Sequence, residues 1–141
     1  MKRAFWICCI LFLTWGLFLA GNKGSASDRN EYGGKTITFN FSNEENNSVS
    51  LIKILLYLDN NEKKVKREVY YTEKYADKKG ISKLVDFFDS DAKKSRSEIH
   101  YTDRFLSEKG FNKTIDYFDT NGEQIKKEMF KNGILIKSSG Q

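Results

Sequence analysis

The sequence predicts a mainly β fold, an antiparallel meander of about seven strands built from three tandem 30-residue β-hairpin repeats. Three observations carry that prediction. The stretch Ile81–Gly110, ISKLVDFFDSDAKKSRSEIHYTDRFLSEKG, has counterparts on both sides: LIKILLYLDNNEKKVKREVYYTEKYADKKG before it and FNKTIDYFDTNGEQIKKEMF after it, in one register without a gap. The run Lys35–Phe41, KTITFNF, alternates strictly, with Ile37, Phe39 and Phe41 on one side and Thr36, Thr38 and Asn40 on the other, which is the signature of a half-buried strand. Asn121-Gly122 is a strong short hairpin signal, because both residues tolerate positive φ.

Taken in order, the chain starts with Lys2 and Arg3, an apolar run from Ala4 to Ala20, and the small and polar residues GNKGSAS. A basic start, an apolar stretch and a small-x-small site form a secretory leader, with Gly24 and Ala26 placed for a cut before Ser27. Residues 1–26 therefore read as a signal peptide or, if uncleaved, an N-terminal anchor, and the expected location is secreted, periplasmic or at the cell envelope. The leader also distorts the composition. Without Lys2, Arg3 and Lys23 the 24 bases fall to 21 against 19 acids, so net charge lends no support to a nucleic-acid partner. Cys8 and Cys9 both lie in the apolar run, leaving the exported part without a thiol, and its stability must come from packing alone.

Residues 27–34, SDRNEYGG, read as a flexible lead-in, and 35–137 as a single β-repeat domain: a half unit at 35–50 and repeats at 51–80, 81–110 and 111–137. Each full unit holds two strands. The first is its opening nine residues (51–59, 81–89, 111–119), and the second is centred on Val69, Ile99 and Met129. Both are dense in aromatic and β-branched residues, and the chain has no proline. The connections DNNE, DSDA and DTNG, then ADKKG, LSEKG and KNG, are short, so neighbours in sequence are expected to be neighbours in the sheet. A helical repeat over EKKVKREVYYTEKYADKKG is the rival reading, since Val65 and Val69 are four apart. The Asn-Gly turn and runs such as VDFFD, too short for helices, count against it.

A two-residue Asn121-Gly122 loop sets Asp119 opposite Gln124 and fixes the register of the third hairpin. Carried into the other copies, that register sorts the side chains onto two faces. One collects Ile54 with Val69, Leu84 with Ile99, Thr114 with Met129, Leu58 with Val65, and Phe88 and Phe118 with Ile125; it is mainly apolar and is expected to be the core. The other repeats Lys53, Lys83 and Lys113; Tyr57, Phe87 and Tyr117; Glu68, Glu98 and Glu128; and the bases Lys66, Arg96 and Lys126. There each aromatic faces a base and each lysine is diagonal to a glutamate. Such pairs hold solvent-facing strands together at roughly a few tenths of a kcal/mol each, and the same twelve residues form a candidate ligand surface. A flat meander leaves its apolar face bare, so the sheet must curl into a barrel or half-barrel, pack on a partner, or stack as a solenoid. The first strand of the first repeat, apolar on both faces, is expected to be covered on both sides.

Chemistry-bearing residues are sparse. His100 is the one histidine and stands where the other copies have Tyr70 and Phe130, so no Ser/His, Cys/His or histidine metal set forms in the exported part. Asp119, Asn121 and Glu123, or Asp89 and Asp91, resemble the opening of a calcium loop but lack its later ligands. Asp86 and Asp116 would supply a carboxylate pair for a hydrolase or lyase, with Lys127 a cross-strand partner that makes Asp116 structural. Asn40, Asn46 and Asn112 head glycosylation triplets.

The run DYFDTNGEQIKKEMFKNG resembles the tyrosine-aspartate (YD) and MORN-like repeats of bacterial secreted and toxin- or antitoxin-associated proteins, in which a Tyr-x-Asp-x-Asn-Gly hairpin recurs along a meandering sheet. The resemblance covers Leu51 to Ile134. The period here is longer than theirs, and the third copy alone keeps the Asn-Gly. It implies binding or scaffolding rather than a reaction. The expected function is therefore an exported, non-enzymatic β-repeat protein without cofactor or metal. It binds a protein or glycan partner at the envelope or outside the cell and touches a membrane only through an uncleaved leader. Self-association through sheet edges is the alternative, with Lys35–Phe41 as the edge expected to mediate it.

Overall fold

The computed structural model describes residues 25–27, 29–41 and 50–140. The expected leader, apart from Ser25 and Ala26, lies outside the described residues, as does the segment 42–49 with Asn46. Nine strands form one antiparallel sheet in chain order: β1 (Ser25–Ser27), β2 (Gly33–Asn40), β3 (Leu51–Asp59), β4 (Lys64–Tyr71), β5 (Ile81–Phe88), β6 (Lys94–Tyr101), β7 (Lys113–Phe118), β8 (Gln124–Lys131) and β9 (Ile134–Gly140). Sequence neighbours are sheet neighbours throughout, as short connections require. The strands exceed the expected seven at both ends. Of the expected lead-in 27–34, residues 29–32 make the loop between β1 and β2 and Gly33 and Gly34 open β2; the Asn30 amide donates to the carbonyls of Lys35 and Leu58 at 2.9 Å each.

The hairpins β3–β4, β5–β6 and β7–β8 share one register, with Ile54 opposite Val69, Leu84 opposite Ile99 and Thr114 opposite Met129, as expected. The turn that produces it differs. Asp119 closes on Glu123, not Gln124: its N–H donates to the Glu123 carbonyl at 2.9 Å, and the Gly122 N–H donates to the Asp119 carbonyl at 3.0 Å. This is a turn centred on Thr120 and Asn121, followed by Gly122 at φ 85°. The Asp119 carboxylate accepts from the backbone of Asn121 and Glu123, and Asp59 and Asp89 do the same in the other two hairpins. Phe118 then lies opposite Gln124, and a bulge at Ile125 restores the expected pairing from Tyr117–Lys126 onward. Val65 and Ser95 take the same bulged place, so the expected core pairs Leu58–Val65 and Phe118–Ile125 do not form, and Ile125 is 44% exposed.

Two connections expected as loops contain two-turn helices, α1 (Glu73–Lys79) and α2 (Asp103–Lys109). Each starts at a threonine, Thr72 or Thr102, whose hydroxyl accepts the N–H three residues on, and ends at a left-handed glycine, Gly80 or Gly110. An acid in the first turn and a lysine in the last favour the helix dipole. Stacked ring pairs fasten them to the sheet, Tyr71 on Tyr75 at 4.6 Å and Tyr101 on Phe105 at 4.2 Å. The helical rival thus survives in part: after the strand Lys64–Tyr71, the tail of that segment is helical.

The sheet is not closed into a barrel: β1 and β9 are its opposite ends and do not pair. Among the described residues, substantial contacts between elements run only between neighbouring strands and between α1 and β5, so it is a single layer. Lys35–Phe41 is not an edge, since β2 pairs with β1 and with β3. β3 is not covered on both sides either: Ile52 is 45% exposed, and none of its residues is fully buried.

Candidate binding face

Alternation along the strands places rows of residues across the sheet. On the face that we call the lysine face, the outer row nearest the helices runs Lys53, Tyr70, Lys83, His100, Lys113, Phe130. The central row runs Leu55, Glu68, Val85, Glu98, Ile115, Glu128, and the row nearest the turns runs Tyr57, Lys66, Phe87, Arg96, Tyr117, Lys126. All twelve expected site residues therefore share one face. Crossing from strand to strand, each outer row alternates a base with an aromatic ring or the His100 imidazole, and the central row alternates aliphatic with glutamate.

The outer rows lean over the central one. Lys53 and Lys83 lie over the Tyr70 ring at 4.6 and 4.8 Å, Lys113 over Phe130 at 4.6 Å, Arg96 over Phe87 at 3.9 Å, and Lys66 and Lys126 over Tyr57 and Tyr117 at 4.7 and 5.2 Å. Long stems spread in this way cover apolar surface while their heads stay wet. Val85 at 4% exposure and Ile115 at 7% are consequently buried without a second layer.

Each glutamate bonds to the base two residues before it on its own strand: Lys66–Glu68 at 3.0 Å, Arg96–Glu98 at 3.1 Å and Lys126–Glu128 at 2.6 Å. Glu68 is the best satisfied. It also accepts from Lys83 at 3.0 Å and from the Tyr70 hydroxyl at 2.6 Å. Burial pushes its pKa up, but the bonds from Tyr70, Lys66 and Lys83 outweigh that and hold it down at about 2. Glu128 is held low by Lys126 and then by the Tyr117 hydroxyl, which donates at 2.8 Å. Burial lowers the His100 pKa against the pull of Glu98, leaving the imidazole neutral near neutral pH. None of the expected lysine–glutamate diagonals within a hairpin forms an ion pair: Lys83 pairs instead with Glu68 of the preceding hairpin, whereas Lys53 and Lys113 rest on rings with no acid within ion-pair distance among the described residues. The pattern missed Tyr70, His100 and Phe130 as members of this face. They stand at the same place in the three hairpins, which holds a different residue in each.

The opposite face is not the apolar core expected of it. Its row Ile54, Val69, Leu84, Ile99, Thr114, Met129 is apolar apart from Thr114, yet Val69 is its one fully buried aliphatic side chain. Beside it runs Leu56, Arg67, Asp86, Ser97, Asp116, Lys127, a polar seam. Asp86, 1% exposed, takes a salt bridge from Arg67 and a 2.8 Å hydrogen bond from Ser97. Asp116 takes Lys127 at 3.3 Å and the Gln124 amide at 3.1 Å. Both carboxylates therefore have basic partners, and Ser97 separates them across the seam.

An open depression of about 510 Å³ lies between the turns of the second and third hairpins, lined by Lys93, Lys94, Phe118, Thr120, Asn121 and Gly122, away from the lysine face. Asp119 spends one carboxylate oxygen on its own turn, and among the described residues no group of three or more His, Cys, Asp or Glu gathers to hold a metal. No family model, curated protein or solved structure matches the chain.

Proposed function

We propose that this is an exported, non-enzymatic protein of three tandem β-hairpin repeats whose lysine face binds an extended anionic partner, a glycan or the acidic surface of a protein, at the envelope or outside the cell. One observation carries the reading: the twelve residues form a continuous open face with six bases (Lys53, Lys66, Lys83, Arg96, Lys113, Lys126) against three acids (Glu68, Glu98, Glu128). Four of these bases pair with the three glutamates, Lys66 also meets Glu31 at 3.1 Å, and Lys53 and Lys113 have no acid partner among the described residues, so positive charge is left over and favours a negative partner. A broad face without an enclosed cavity suits a polymer or a surface better than a small molecule. The basic partners of Asp86 and Asp116 support a structural role for them, because a general acid or base needs a carboxyl free to exchange its proton.

Lys53 and Lys113 allow a direct test, because removing them strands no glutamate. Binding to polygalacturonate is expected to exceed binding to a neutral glucan, to weaken with salt, and to fall severalfold in the K53Q/K113Q variant. Equal binding to the neutral glucan would sink the anionic reading. If neither glycan binds, the wild type and not the variant must retain an acidic protein from an envelope extract; otherwise the face is not a binding site.

A further inference from the structure

We propose that β9 is a dimerisation edge, at which two copies of this chain pair β9 with β9 about a two-fold axis, Leu135 against Leu135 and Ile134 against Ile136 of the second copy. All seven residues of β9 are exposed, and Ile134, Leu135 and Ile136 form a consecutive apolar run at 71%, 49% and 49% exposure. β9 is the last strand of the sheet, so its outer N–H and C=O groups have no partner among the described residues. An unpaired strand of aliphatic residues is a template for another strand.

The other end of the sheet points to a like strand as the occupant. Among the described residues β1 is three residues of serine and alanine, too short and too polar to complement Ile-Leu-Ile, so head-to-tail addition is disfavoured. A second β9 related by a two-fold axis runs antiparallel automatically, as every pair in the sheet already does. Charge selects the register. The one charged residue of β9, Lys137, then faces Gly133 of the second copy, where there is room for it, whereas sliding the strands until Lys137 meets Lys137 opposes like charges. The bulge at Ile136 and Lys137 are the two protections this edge carries, and the proposed register keeps Lys137 outside the apolar centre. The contact consumes both β9 edges, so assembly stops at two. The axis stands perpendicular to the sheet, which keeps both lysine faces on one side.

Sedimentation velocity on the full chain, as purified from the producing host, is expected to show a species of twice the chain mass, and L135K to give the monomer. In a chain carrying C8S and C9S, L135C is expected to form a disulfide-linked dimer under mild oxidation and S139C to form none. A wild type monomeric at every concentration, whatever else it binds, would overturn the proposal. So would assembly beyond the dimer, an L135K variant that stays dimeric, or equal cross-linking of both cysteine variants.

Discussion

The two faces of this sheet solve one problem in opposite ways. A single layer has no second layer to bury its side chains, so each face must cover itself. On the lysine face long bases and rings alternate and spread over a central row, leaving Val85, Ile115 and the paired Glu68 buried and the cations at the rim. On the seam face the row beside the apolar one holds Asp86, Ser97 and Asp116 between Arg67 and Lys127, and the buried groups are Val69, Asp86, Ser97, Thr114 and Asp116. Burial therefore follows the reach of the neighbouring side chains more than the polarity of the residue covered.

That comparison breaks first at Asp86. D86A leaves Arg67 and Ser97 without their acceptor and is expected to cost about 2 to 4 kcal/mol in urea unfolding, below the full penalty because Arg67 reaches water. An R67L/D86L pair that recovers much of the loss would show the seam to be an alternative to apolar packing. The lysine face is probed by I115A, expected to cost about 2 to 3 kcal/mol, against under about 0.5 kcal/mol for I125A at its exposed bulge. Equal losses would remove the claim that cations and rings bury the central row.

Acid sharpens the contrast further. The Glu68 pKa is depressed from 4.5 to about 2, so its contribution is fully present above about 4.5 and is lost as pH falls toward 2. E68Q is expected to flatten the pH dependence of the unfolding midpoint across that window, and an unchanged slope would show that the cluster does not hold Glu68 ionised. The smallest effects lie at the turns, where Glu62, Ala92 and Gly122 all have positive φ, at 61°, 59° and 85°. G122A should cost about 1 kcal/mol, while A92G should be neutral or stabilising by a few tenths, with thermal midpoints deciding the sign.

The antiparallel meander, the order of β2 to β8 and the sharing of one face by the twelve site residues were legible because period-2 alternation and short connections overdetermine them, whereas β1, β9 and the polar seam were not. Nor was the turn. Asn121-Gly122 carries the two-residue signal, but Asp119 captures two backbone N–H groups and draws the loop one residue wider; the bulge at Ile125 then returns the strand to its expected pairing. The two-residue Asn-Gly turn lies instead at Asn132-Gly133, both at positive φ, where it launches β9. The helices were signalled by Thr72 with Glu73 and Thr102 with Asp103, each followed by a later glycine, but their seven-residue spans were too short to show a helical period. Burial was the least legible property. Leu, Ile and Phe mark a face as apolar, but in a single layer a side chain is dry only where a longer neighbour bends over it.

The turns also carry a direction. The Lys63 ammonium donates to the Ser90 carbonyl at 3.2 Å and that of Lys93 to the Thr120 carbonyl at 2.9 Å, so each of the first two hairpins reaches forward to the next. At the same place the third hairpin has Glu123 and, among the described residues, no later hairpin turn on that side to grasp. The hairpins are therefore not interchangeable parts. Moving the third into the middle of the array would set an acid against a backbone oxygen, so their order is written into a single charge reversal.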